Sequence, residues 1–235
     1  MTLEETMAEL KSYGNQGIKN ILLKHGVLEP FFGVKVEHLK IIQKKVKKDY
    51  QLALELFATN NADAMYLAGL IADDMKMTRE DLQGWAKTAL SHNISAYTVP
   101  WVTAGSNYGL ELAMQWIDSN EEHIAVAGWS TLSGLVALKA DEEIDMELIR
   151  NLMTRIEKNI HSSQNRVRQA MNLFIICIGT YIKELSAEAV ATAARIGNVT
   201  VDMNGTACKV PNAVEYIKKV SDRGTIGKKR KVIKC

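Results

Sequence analysis

An all-α chain of helix pairs stacked in series, carrying one small β-hairpin near the C-terminus, is the fold this sequence predicts. Three observations predict it. Apolar residues recur at helical spacing through most of the 235 positions. Prolines stand only at 30, 100 and 211, and β-branched runs are few. A single stretch, residues 199–210, alternates on both sides of an Asn-Gly pair, which is the strongest short hairpin signal.

Taken in order, Leu3, Met7 and Leu10 repeat at i, i+4, i+7, and Gly14-Asn15 separates them from Ile18, Ile21 and Leu22. That pattern predicts a helical hairpin ending at Gly26. A turn containing Pro30 then leads into a helix with Leu39, Ile42 and Val46 on its inner face and Lys40, Lys44, Lys45, Lys47 and Lys48 on its outer face. From residue 50 onward, helices are expected near 51–58, 61–74, 79–91, 94–104, 109–118, 121–138, 144–157, 164–182 and 186–197, with short polar breaks between them. Two of these carry small residues inside an apolar stripe, at Ala68-Gly69 and Ala127-Gly128. Small residues let neighbouring helices approach closely. Helix pairs in series are the signature of a HEAT- or armadillo-like solenoid. After the predicted hairpin, Pro211 suits the first turn of a closing helix reaching about Val220. Residues 1–221 thus read as one domain. Residues 222–235 read as a basic tail with too little apolar content to fold alone, mobile or ordered by a partner.

Composition narrows the class. A hydrophobic content of 47% is enough to fill a core. No apolar run approaches the roughly 18 residues of a membrane span, and the N-terminus lacks a secretory pattern, so a cytoplasmic protein without membrane attachment is expected. The three cysteines, at 177, 208 and 235, form neither a CxxC site nor an even disulfide set, and the five histidines show no i, i+4 pairing. We expect reduced thiols and no metal. There is no Gly-rich phosphate loop and no GxSxG elbow, so no nucleotide cofactor or serine hydrolase is indicated.

Charge is distributed unevenly. The last 21 residues carry eight Lys or Arg against two acids, so their +6 leaves the preceding chain at −4 within an overall +2. The cluster Lys228, Lys229, Arg230 and Lys231 suits a polyanion bound through counterion release, and it equally suits a solvated terminus. Lys44 and Lys48 extend the basic set on one helix face. Arg166 and Arg168 follow Ser162-Ser163-Gln164-Asn165 at a helix start, where backbone N–H groups and guanidinium groups can clamp a phosphate, or the arginines can simply be exposed. Asp73-Asp74 closes a helix and offers a carboxylate pair for acid–base work, the plainer reading being a solvated end beside Lys76. The segment from Leu82 to Leu110 contains no Asp or Glu yet holds Tyr97 and Trp101 four residues apart. Such a segment packs inward or offers its rings to a ligand. Cys177, among isoleucines, reads as core.

Several of these residues carry a family resemblance. Phe32-Gly33-Val34, Leu39-Lys40-Ile41-Ile42, the serial helix pairs and Arg166-Val167-Arg168-Gln169-Ala170 resemble the bacterial AlkD-type DNA alkylation repair proteins across roughly residues 15–190. The resemblance implies a curved right-handed superhelix of HEAT-like repeats whose concave, basic face holds duplex or alkylated DNA. It also implies excision of cationic alkylated purines by an aromatic pair and a carboxylate. The family's Trp-Asp-x-x-Asp segment falls on residues 97–101, with an aromatic kept at Tyr97 and no carboxylate. Its Trp-x-Arg-Arg segment falls on Trp129-Ser130-Thr131-Leu132, without the arginines, and its later aromatic falls at Leu173.

Tyr97, Trp101 and Asp74 are therefore the candidate catalytic residues. Lys44, Lys48, Arg166, Arg168, Lys228, Lys229, Arg230 and Lys231 are the candidate nucleic-acid contacts. The sequence-level reading is a DNA-binding repair-family protein. A non-catalytic solenoid that binds a protein partner is the alternative.

Overall fold

A computed structural model describes residues 1–235. Thirteen α-helices follow one another: α1 (Leu3–Ser12), α2 (Gln16–Lys24), α3 (Val36–Val46), α4 (Tyr50–Ala58), α5 (Ala62–Ile71), α6 (Arg79–Thr88), α7 (Val99–Gly105), α8 (Gly109–Trp116), α9 (Glu122–Leu138), α10 (Met146–Asn159), α11 (Asn165–Tyr181), α12 (Ser186–Ile196) and α13 (Ala213–Asp222). A π turn, Ile94–Thr98, runs straight into α7, and a 3₁₀ turn, Asp74–Lys76, follows α5. None of the helices is long and apolar enough to cross a membrane.

The helices form two layers. In one layer α3, α5, the π turn with α7, α9, α11 and α13 lie side by side, each touching the next. The second layer backs them: α4 packs on α5, α6 on α7 and α9, α8 on α9, and α12 on both α10 and α11. Local chemistry sets the starts. Thr2 and Thr78 close capping boxes with Glu5 and Asp81, and Asp49, Asn61, Asp145 and Asn212 accept backbone N–H bonds as N-caps.

Burial gathers in two clusters, one in each half of the chain. The central helix α9 serves both: Ile124 and Ala127 face the first, while Val126, Trp129 and Leu132 face the second. It is buried continuously from Ile124 to Ala137, the pattern of a helix enclosed on all sides. Its Gly128 makes the enclosure feasible, since a Cβ there would lie 2.7 Å from the Ile117 nitrogen. Gly69 of α5 does the same against the Thr98 side chain. Both small-residue steps seen in the sequence are thus points of close helix approach.

The expected hairpin at residues 199–210 is absent, and the chain has no β-strand. Its turn does form. Asn204 and Gly205 both take positive φ (57° and 68°), and the Thr206 N–H reaches the Met203 carbonyl at 3.2 Å. The flanks, however, bond elsewhere. Asn165 at the start of α11 exchanges two bonds with Asp202, donating to its carbonyl at 2.9 Å and accepting its N–H at 2.8 Å. Asn172 farther along α11 holds the Pro211 carbonyl at 2.9 Å. An isolated two-stranded hairpin is marginal in water, and docking along α11 wins. Pro211 accordingly lies one residue before the N-cap Asn212 rather than inside the first turn.

The last segment, residues 223–235, has no helix, yet the body of the protein holds it at several points as a strap. Gly227 N–H donates to the Thr180 carbonyl and Arg230 N–H to the Ala137 carbonyl, each at 2.8 Å. Lys229 Nζ reaches the Val136 carbonyl at 2.9 Å, and Lys234 Nζ reaches the Ala72 carbonyl at 3.0 Å. These acceptors lie at the carboxyl ends of α11, α9 and α5, where helices leave carbonyls without intrahelical partners and the dipole favours cations. Ile233 packs against both apolar clusters.

Candidate nucleic-acid interface

The acid-free stretch of the sequence folds into the end of α6, the π turn and α7. A π turn carries one residue more than an α turn, and such insertions re-aim side chains. Here Ile94, Ser95 and Thr98 point inward, while Tyr97 stays 44% exposed. Pro100 sits in the first turn of α7, where its missing N–H is not needed. Trp101 lies one turn beyond, 7% exposed, its ring 6.1 Å from that of Tyr97 and edge-on to Tyr66 at 5.3 Å. The pair is therefore split, with Trp101 as a buried wall and Tyr97 as a presented ring.

Both rings border a cavity of about 190 Å³. Ser130, Ser133 and Gly134 of α9 line it, together with Leu173, Cys177 and Thr180 of α11, Tyr216 of α13, and Arg230 and Ile233 of the strap. Arg230 is fixed by Tyr181: its Nε donates to the phenol oxygen at 2.6 Å, and the guanidinium carbon lies 5.7 Å from the ring centre. No Asp or Glu lines the cavity. Burial raises the Tyr97 phenol above its ordinary range and pushes the Cys177 thiol up to about 12, so the phenol stays protonated and the thiol is unreactive at neutral pH.

The candidate cations divide into groups. Arg166 opens α11, close enough to Tyr97 and His92 to influence both electrostatically. Its backbone N–H donates to Glu122 at 2.7 Å, and its guanidinium donates to Gln169 at 3.1 Å and to Met203 sulfur at 3.2 Å. The helix end expected to receive a phosphate therefore already holds a carboxylate. A second, polar cavity of about 230 Å³ adjoins it, lined by His92, His123, Arg166 and Asn204. Burial first, then Arg166, holds His92 down to about 4, which leaves it neutral at physiological pH. Arg168 turns back to Asn165 Oδ1 at 3.2 Å. Lys44 is exposed on α3. Lys48 lies 3.5 Å from Asp73. Lys228 and Lys231 are exposed, while Lys229 bridges the Val136 carbonyl and Asp141, the latter at 2.8 Å.

Asp74 does not line the cavity and is largely withdrawn from solvent. It pairs with Lys234 at 2.5 Å, with side chains 21% and 12% exposed. Burial pushes the Asp74 carboxyl above its usual range and the Lys234 ammonium below its own, each partner opposing the shift. Its role in the fold is to anchor the strap.

Sequence reasoning missed one acid altogether. Asp63 in α5 is buried and accepts the N–H groups of Phe32, Gly33 and Val34 at 2.6, 2.9 and 3.2 Å. A lone carboxylate in an otherwise apolar helix was the available signal. It explains Phe32-Gly33-Val34 as a backbone cradle, with Gly33 at φ 82° packed against Asn15 and Lys19.

The model of the DNA alkylation repair enzyme family matches residues 6–217. The chain belongs to that family. Two uncharacterized proteins, Lin0241 of Listeria innocua and Lmo0209 of Listeria monocytogenes, are each 30% identical to it over 229 residues, which is 95% of this chain and 99% of theirs. A solved structure described as a new family of proteins related to the HEAT-like repeat DNA glycosylases with affinity for branched DNA structures aligns over 100% of both chains, with a TM-score of 0.92 and 35% identity. Within this DNA alkylation repair protein, Tyr97, Trp101 and Leu173, on which the resemblance placed three of the family's functional positions, border one cavity.

Proposed function

We propose that this protein binds branched DNA on the face that carries the Tyr97 cavity and does not excise bases. The observation that carries the reading is the make-up of that cavity, whose lining includes aromatic rings and an arginine and no Asp or Glu. Excision through an oxocarbenium-like sugar draws its largest stabilisation from an anion beside the sugar, and Asp74, the acid the sequence offered, is engaged with Lys234. A DNA branch needs only backbone neutralisation and surfaces for exposed bases. Lys44, Lys228 and Lys231, which are exposed and make no ion pair, are assigned to the phosphates. The affinity for branched DNA described for the 35% identical structure agrees with this assignment.

The test compares a three-way junction with a linear duplex of the same composition by fluorescence anisotropy over a salt series, alongside release of alkylated bases from treated DNA. We expect tighter binding of the junction, a steep negative salt slope and no base release. Equal affinity for both DNAs would remove the branched-DNA reading. Release of methylated purines above background would remove the non-excising one.

A further inference from the structure

Three of the large apolar side chains that the fold leaves exposed, Tyr97 at 44%, Leu173 at 38% and Tyr216 at 46%, come from three different elements and meet around the one cavity. Exposed apolar surface concentrated around a concavity marks a ligand site. A few hydroxyls interrupt this mostly apolar lining. Thr180 is 7% exposed and lines the cavity, and its Oγ1 has no hydrogen-bond partner. Ser133, which also lines the cavity, donates to the Trp129 carbonyl at 3.0 Å and lies within hydrogen-bonding reach of the Cys177 thiol. Buried hydroxyls are ordinarily paired, so an orphaned one in a cavity wall points to a ligand that supplies the missing partner.

These features define the ligand's chemistry. Aromatic rims suit a flat ring, and interior hydroxyls suit a ring whose edge carries donors and acceptors. With no acid in the lining, the Arg230 guanidinium disfavours a cation and favours a ligand with a phosphate attached. An apolar chain would leave Thr180 unpaired, and a free sugar would leave the aromatic rim without a planar partner. A nucleobase has both the face and the edge. A base inside a duplex cannot reach such a cavity, whereas the bases at a branch are unpaired, or cost least to unpair.

We propose that the cavity takes one unpaired nucleobase at the branch of bound DNA, with its face against Tyr97 and Tyr216 and its edge against Thr180. This assignment rests on the DNA-binding reading above and adds the element that distinguishes a branch from a duplex. Base–aromatic stacking tolerates any base, so the site selects unpaired structure rather than sequence.

The experiment uses the full chain and two three-way junctions with two unpaired nucleotides at the branch, identical except that in one of them these nucleotides are abasic. Binding is read by anisotropy at a fixed salt concentration. The base-bearing junction is expected to bind about tenfold more tightly, the effect of one stacked base. Tyr97→Ala and Tyr216→Ala should bring the two affinities together, and Thr180→Val should reduce the ratio roughly threefold through the lost edge contact. If the unaltered protein binds both junctions equally well, the base-pocket assignment falls and DNA binding stands. If it binds neither, both fall. A tenfold ratio that survives all three substitutions places the base elsewhere and also overturns the assignment.

Discussion

On α3 and just past its end, Lys40, Lys44 and Lys47 are exposed and make no ion pair, while in the strap Lys229, Arg230 and Lys234 are engaged with helix carbonyls, a phenol and partly buried carboxylates. Both segments are runs of cations of similar density. The difference lies in what the surrounding fold offers. Beside α3 there is mostly water, with Glu9 and Asp73 taking only Lys45 and Lys48. Under the strap lie the negative ends of three helices. A charge run therefore counts toward an anionic partner only after the helix ends near it have taken their share. Of the tail cluster, Lys228 and Lys231 are left for DNA.

Removing the strap should have the largest effect. Ending the chain after Ser221 deletes the Lys234–Asp74 pair, the carbonyl bonds and the Ile233 contacts together, and should cost on the order of 4 kcal/mol by urea unfolding. A tail that served DNA alone would leave the midpoint unchanged. Next comes Asp74→Asn, which leaves a mostly buried ammonium without its anion and should cost about 2 kcal/mol, below the range for fully buried pairs because both groups keep some solvent. Adding Lys234→Met to it should recover part of that loss. A loss under about 0.5 kcal/mol for Asp74→Asn would erase the contrast between the two segments. Lys229→Ala should cost about 1 kcal/mol through its carbonyl and Asp141 contacts. The smallest stability effects, within about 0.5 kcal/mol, belong to Lys44→Ala and to the Lys228→Ala, Lys231→Ala double variant. For these the readout is DNA binding, where each lost phosphate contact should flatten the slope of log affinity against log salt by about 1. An unchanged slope in the Lys44 variant would return the α3 ridge to a purely solubilising role.

The helices were largely legible. Those at 122–138, 165–181 and 186–196 agree with expectation to within a residue or so, because each carries its own apolar period and polar boundary. The aromatic site was legible in part. Tyr97, Trp101 and Leu173 were singled out, but their meeting with Tyr216 and Arg230 depends on packing between elements more than forty residues apart in the chain. The strap was not legible because its partners are main-chain carbonyls, which every residue has and no side chain advertises. The hairpin signal failed for a related reason. Asn204-Gly205 encodes the turn, while the bonds that decide the fate of the flanks come from Asn165 and Asn172 on a helix already in place.

A superhelix of stacked helix pairs is elastic along its length, since each pair touches only its neighbours and small rotations accumulate. The strap changes that mechanics. By joining the end of α5 to those of α9 and α11 it ties together helices that stacking connects only through their neighbours. Substitutions in the repeat interfaces alter how well adjacent pairs stack, while substitutions at Asp74 or Lys234 loosen a tie that spans several of them.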